Sequence, residues 1–209
     1  QVRGGIDMIP RWLSIEWFIE FNEILKHLMK HGVRSVLDVG CGAGTLCRLL
    51  EMLDIRCIGI DIDCSRARCE CIEHDIRKPL PFNDDSFDAV VSQHVIEHIE
   101  REYQLLALKE MVRVARKIVV VLTPNARFEA KVEDVTETEG GPHKHVLTTE
   151  EARWLCKDIP NCNVYEMDSF FYASADYRRA ALYFYNNVYR YHPKPTIVIL
   201  IEKRTESAC

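Results

Sequence analysis

A chain of 209 residues sits at the upper end of one ordinary domain and is long enough to bury a core without staples. Its 47% hydrophobic and 28% charged residues suit a globular protein, and no stretch approaches the ~18 unbroken apolar residues of a membrane span. A net charge of −5 gives no global electrostatic case for nucleic acid, and residues 1–10 lack the apolar run of a signal peptide, so a cytoplasmic protein is expected.

Apolar residues at helical spacing (Leu13, Trp17, Phe21, Ile24, Leu25, Leu28) predict a helix over 12–31, closed by Gly32. The period then changes. Ser35 to Val39 reads as a buried parallel strand, and a helix follows over about 44–53. A second strand over 56–60 ends in Asp61, and a third near 71–73 ends before Asp75. Lys78 to Ser86 is a polar, proline-punctuated loop. A fourth strand is predicted over 87–91, a helix over 95–115 and an all-apolar fifth strand over 117–122. An acidic loop runs on to Gly141. Thr148-Thr149-Glu150-Glu151 then has the form of a capping box opening a helix through Lys157. Two last strands, over 164–170 and 196–201, flank an aromatic helical segment over 176–191.

Strands alternating with helices imply right-handed crossovers and an α/β sheet covered on both faces. The two final strands, with no helix after the second, suggest an antiparallel pair at the sheet edge. The nine cysteines contain no pair of C-x-x-C knuckles, so zinc is not indicated. They read as small buried hydrophobes or as the disulfides that hyperthermophile proteins carry.

The segment Val36-Leu37-Asp38-Val39-Gly40-Cys41-Gly42-Ala43-Gly44 carries the strand into a glycine loop and then a helix. In an open parallel sheet, ligands bind at the carboxyl ends of the strands, so topology alone places this loop at a site. A dinucleotide fingerprint would need Gly or Ala at position 45, where this chain has Thr45. Asp38 beside the loop repels a pyrophosphate but suits the ammonium of an amino-acid-bearing cofactor. Asp61 can accept both hydroxyls of a ribose, and Asp75 can accept the exocyclic amine of adenine. Each aspartate taken singly is also a common turn former or helix cap.

Together these motifs resemble the class I S-adenosylmethionine-dependent methyltransferases of the broad ubiquinone/menaquinone-biosynthesis-like type (methyltransferase type 11). The resemblance runs from Val36 to roughly Leu155. It rests on the glycine motif, on Gly59-Ile60-Asp61-Ile62-Asp63, on Glu73-His74-Asp75-Ile76, and on Ser92-Gln93-His94-Val95-Ile96-Glu97-His98. It implies a Rossmann-like fold whose seven-stranded, mostly parallel sheet has the order 3-2-1-4-5-7-6, with helices on both faces. It also implies S-adenosyl-L-methionine as cofactor. The residues expected to bind it are Asp38, Gly40, Cys41, Gly42, Gly44, Asp61, Ile62, Asp75, Ile76, Ser92, Gln93 and His94, the last three along its methionine end.

Methyl transfer from a sulfonium is an in-line displacement, for which the protein mainly aligns the partners. A general base is needed only for a protonated, weakly acidic acceptor. His94, His98, His143 and His145 are candidates, with His98 and His145 preferred. His94, Glu97 and His98 also lie at i, i+3, i+4, which on a helix is one face. With His145 they are candidate ligands for a divalent metal. In part they resemble the metal-dependent small-RNA 2′-O-methyltransferases, which carry Glu where this chain has His94. That departure disfavours Mg²⁺ but suits Zn, Fe or Ni.

A single domain over 1–209 is expected, with residues 1–32 as an N-terminal helical cap and 172–194 as an aromatic insertion. That insertion reads as core, as a homodimer face or as a substrate lid. The reading that follows is methyl transfer to a small-molecule, lipid or glycan acceptor. Its alternatives are a metal-assisted RNA 2′-O-methyltransferase and a non-catalytic S-adenosylmethionine-binding protein.

Overall fold

The computed structural model describes residues 15–129, 142–167 and 196–203. Seven strands form one sheet: β1 (Ser35–Val39), β2 (Arg56–Asp61), β3 (Cys71–Glu73), β4 (Phe87–Gln93), β5 (Ala115–Pro124), β6 (Cys162–Met167) and β7 (Thr196–Glu202). Their order is β3-β2-β1-β4-β5-β7-β6. The first five are parallel, and β7 lies antiparallel between β5 and β6. The helices are α1 (Ile15–Lys30), α2 (Thr45–Glu51), α3 (Arg101–Val114), α4 (Ala126–Glu129) and α5 (Thr149–Cys156).

Alternate residues of each strand face opposite sides of the sheet, so two cores result. Leu37, Val39, Val90 and Val119 pack with Leu108 and Met111 of α3 and Leu155 of α5. Val36, Val91 and Val120 pack on the other side with Ile24 and Leu28 of α1 and Leu46 and Leu50 of α2. The central strands are therefore apolar on both faces, which is why they read as continuous runs. The capping box at α5 forms as its sequence predicts. The Thr148 hydroxyl accepts from the Glu151 N–H, and the Glu151 carboxylate accepts from the Thr148 N–H.

One predicted helix is corrected. The segment over 95–115 is not continuous: His94 takes a left-handed conformation (φ 57°), Ile96–His98 form a single 3-10 turn, and α3 begins only at Arg101. The backbone carbonyl of Glu97, which a helix would give to residue 101, instead accepts from the N–H groups of Lys144 and His145. The Ile96 carbonyl is taken by the Gln104 side chain. Strand β5 is longer than predicted, and β6 is described only to Met167. The aromatic insertion over 172–194, the helix start before Ile15 and the end of the acidic loop lie outside the described residues. Cys64–Cys71 and Cys156–Cys162 are disulfides, while Cys41, Cys47 and Cys57 are buried thiols. No described helix is long and apolar enough to cross a membrane.

Candidate functional site

Strands β1, β2 and β4 end at one rim of the sheet, and a cavity of about 550 Å³ opens there. Its floor is the loop from β1 to α2. Gly42 sits at φ 52°, and a Cβ added there would meet nothing within 4 Å, because it would point into open cavity. The Gly42 N–H donates to Asp61 Oδ2 at 2.8 Å, so the carboxylate at the end of β2 also fixes the loop. Gly44 has a different task. It takes φ 76° at the start of α2, and a Cβ there would come within 2.6 Å of Cys69 Sγ.

Of the twelve residues expected to bind cofactor, ten line this cavity: Asp38, Gly40, Cys41, Gly42, Asp61, Ile62, Asp75, Ile76, Gln93 and His94. Gly44 and Ser92 do not. Gly44 faces Cys69, and Ser92 is fully buried in β4.

The three carboxylates are in different states. Asp38 is 3% exposed, and among the described residues its one hydrogen bond comes from the Cys47 thiol, at 3.8 Å. Burial, reinforced by the charge of Asp61, pushes its pKa up to about 7 despite that weak hydrogen bond. A cationic group in the cavity would satisfy it. Asp75 is held by Arg77, whose Nε and Nη2 reach its two oxygens at 2.9–3.1 Å and whose backbone N–H adds a third donor. Those bonds hold Asp75 below the usual carboxylate range. Asp61 has hydrogen bonds from Gly42 and from the Asp63 N–H at 3.1 Å.

His94, His98, Lys144 and Trp17 of α1 also line the cavity. His94 Nε2 lies 2.8 Å from Glu20 Oε2, and its Nδ1 lies 3.5 Å from Glu97 Oε1. Burial alone would raise Glu97, but the hydrogen bond and charge of His94, with His98 nearby, hold it below its ordinary value. The Thr123 hydroxyl donates to its other oxygen at 3.1 Å. Burial lowers the His98 pKa, and a ring N–H of His98 bonds the Pro142 backbone. Among the described residues its Nδ1 is buried without a hydrogen bond, whereas Glu97 Oε1 faces His94 Nδ1.

The histidine cluster differs from the one expected. Glu97, His98 and His143 bring ligand atoms within 4.8 Å of one another. His98 and His143 meet edge to face with ring centroids 4.9 Å apart. His145 does not join them: its Nε2 lies 3.6 Å from Glu151 Oε1, at the start of α5. His94, left-handed in its backbone, keeps Nδ1 beside Glu97 but turns Nε2 to Glu20, and it is not one of the three. Sequence spacing treated His94, Glu97 and His98 as one helical face, and the 3-10 turn removes that face. Among residues not expected to shape the cavity wall are Arg66, Arg77, Glu100 and Lys144, and behind it Glu20.

A family model described as a methyltransferase domain matches residues 37–122. Ajmaline N-methyltransferase of Rauvolfia serpentina is 34% identical over 96 residues, covering 39% of this chain and 32% of that protein. A probable S-adenosylmethionine-dependent methyltransferase of Mycolicibacterium smegmatis is 32% identical over 132 residues, covering 58% of this chain and 51% of that protein. The chain thus spans about a third to a half of the length of these relatives. The methyltransferase domain of bacterial CtHen1 shares the fold, with a TM-score of 0.62 at 17% identity, covering 90% of this chain and all of that one.

Proposed function

We propose, from the premise that this chain belongs to the class I S-adenosylmethionine-dependent methyltransferases, that it transfers the cofactor's methyl group to a small-molecule, lipid or glycan acceptor. The observation that carries the reading is the buried Asp38 on the cavity wall. Its only hydrogen-bond donor among the described residues is a thiol, and a cationic amino-acid group would neutralise it. The donor set fits the cofactor: Asp38 for the ammonium, Asp61 for the ribose, Asp75 and Ile76 for adenine, and the bare backbone at Gly42 for close approach. When bound, S-adenosylmethionine supplies an electrophilic methyl on a sulfonium.

This chain's residues then have two tasks. Gln93 and His94 line the methionine end and fix where the methyl points. His98, whose pKa burial lowers, lines the cavity and serves as the base for an acceptor hydroxyl or amine. Arg77, paired with Asp75 and 3.5 Å from Glu100, holds the adenine-side rim. The similarity to a small-molecule N-methyltransferase supports a small acceptor. Melting curves with S-adenosylmethionine, its demethylated product and NAD test the cofactor reading, since a ligand that binds only the native state raises the midpoint. A shift with NAD alone would refute it. Labelled-methyl transfer into fractionated small molecules, lipids, glycans and RNA tests the acceptor.

One observation favours a second reading, metal-assisted methylation of an RNA 2′-hydroxyl. Glu97, His98 and His143 offer one carboxylate and two imidazoles, with ligand atoms within 4.8 Å of one another. This mixed set fits Zn, Fe or Ni better than Mg. A metal there would act as a Lewis acid on the acceptor oxygen. Equilibrium binding of Zn²⁺ and Ni²⁺, lost in His143→Ala, tests it independently of turnover.

A further inference from the structure

Glu20 is a carboxylate 2% exposed in α1, and three of its partners lie far from it in sequence. Its Oε2 accepts from the Gln93 amide at 2.7 Å and lies 2.8 Å from His94 Nε2. Its Oε1 accepts from the Thr196 hydroxyl at 3.0 Å. Gln93 and His94 both line the cavity, so Glu20 stands one side chain behind its wall. Helix α1 has a second polar anchor one turn on. There Tyr165 of β6 donates to Glu23 Oε1 and lies 2.9 Å from His27 Nε2. None of Glu23, His27 and Tyr165 lines the cavity. If α1 needed only docking, an apolar contact or that second anchor would serve. A buried carboxylate aimed at two wall residues is costly unless its charge is used.

We propose that Glu20 is a positioning and specificity residue of the cofactor site: it fixes Gln93 and His94 and biases the site toward the sulfonium cofactor over its neutral thioether product. The inference deepens the cofactor reading and rests on it. S-adenosylmethionine carries one positive charge more than S-adenosylhomocysteine, and the two otherwise differ by a methyl. A fixed negative charge behind the methionine end attracts the first and leaves the second nearly unaffected. It therefore helps to release product after transfer. With the proton state of His94 unchanged, replacing Glu20 by Gln makes the wall one unit less negative.

The experiment is calorimetric binding of both compounds to wild type, Glu20→Gln, Glu20→Asp and Tyr165→Phe, each checked for folding. Glu20→Gln keeps the shape, and the Thr196 hydroxyl can rotate to accept from the new amide. It should weaken S-adenosylmethionine about three- to tenfold, the worth of one unit charge at a partly wet wall. S-adenosylhomocysteine should change less than about twofold. Glu20→Asp, its charge drawn back by one methylene, should give an intermediate ratio, and it carries the test if Glu20→Gln does not fold. Tyr165→Phe loosens α1 at its other anchor and should leave the ratio unchanged. Equal weakening of both compounds in the Glu20 variants, or an unchanged ratio, means that Glu20 only docks the helix and overturns the proposal. Wild-type protein that binds neither compound overturns the cofactor reading itself, and the proposal with it.

Discussion

Asp38 makes cofactor binding depend on pH in a way that can be calculated. Without ligand its carboxyl is raised to about 7, first by burial and then by the Asp61 charge. The unfolded value is about 3.9. A cationic ammonium pairs only with the ionised form, so the apparent Kd is the intrinsic Kd multiplied by 1 + 10^(7 − pH). That factor is about 11 at pH 6, about 2 at pH 7 and about 1.1 at pH 8. Affinity for S-adenosylmethionine should therefore tighten about tenfold between pH 6 and pH 8, or about 1.4 kcal/mol. At pH 7 about half a proton should leave per cofactor bound, seen as a dependence of the calorimetric heat on the buffer's ionisation enthalpy. The stability of the ligand-free protein should move the opposite way. Between about pH 4 and pH 7 the native state keeps a proton that the unfolded chain has lost, so this residue's contribution falls as pH rises. Asp38→Asn should bind more weakly than wild type at pH 8 and show no slope. A flat wild-type profile, or a slope that survives in Asp38→Asn, refutes the reasoning.

Asp61→Ala removes the ribose acceptor and the anchor of the Gly42 N–H. Affinity for S-adenosylmethionine should drop about 10- to 100-fold, from roughly 1.5–3 kcal/mol of charge-assisted hydrogen bonds, and unchanged calorimetric affinity in a folded variant would rule out the assignment. Gly44→Ala forces a Cβ against Cys69 Sγ at φ 76°, so it should lower the melting temperature, measured by calorimetry, even without ligand. Thr148→Ala breaks the capping box of α5 and should cost about 1 kcal/mol in denaturant unfolding. His143→Ala should abolish any stoichiometric Zn²⁺ binding while leaving cofactor affinity intact, and His145→Ala should do neither, as calorimetric titration of each variant will show.

The sheet was legible because its information is local. Each central strand is an apolar run closed by a glycine or a polar residue, and those closing residues, Gly40, Asp61 and Gln93, are the ones that topology carries to a common rim. The cofactor floor was legible for the same reason, since a strand, a glycine turn and a helix start are contiguous in the chain. Gly44 shows the limit of that logic. A glycine in the loop reads as close approach to ligand, whereas this one is required by Cys69, whose position depends on the fold.

The histidine cluster shows why the remainder was hidden. Spacing of i, i+3, i+4 means one face only where backbone carbonyls bond along the same helix. Here the Glu97 carbonyl bonds forward by some fifty residues, to the N–H groups of Lys144 and His145. That bond has two effects at once. It stops the helix before it forms, which frees His94 to turn toward Glu20. It also draws the segment Pro142-His143-Lys144-His145 alongside the turn, with His143 facing His98 and His145 facing Glu151. Neither consequence can be read from composition or period, because both are set by one long-range backbone pairing. Glu20 is subject to the same limit: its partners lie 73, 74 and 176 residues away. The part of the cavity proposed to sense charge at the methyl is therefore assembled by tertiary contacts, while the part proposed to hold the nucleoside is written along the chain.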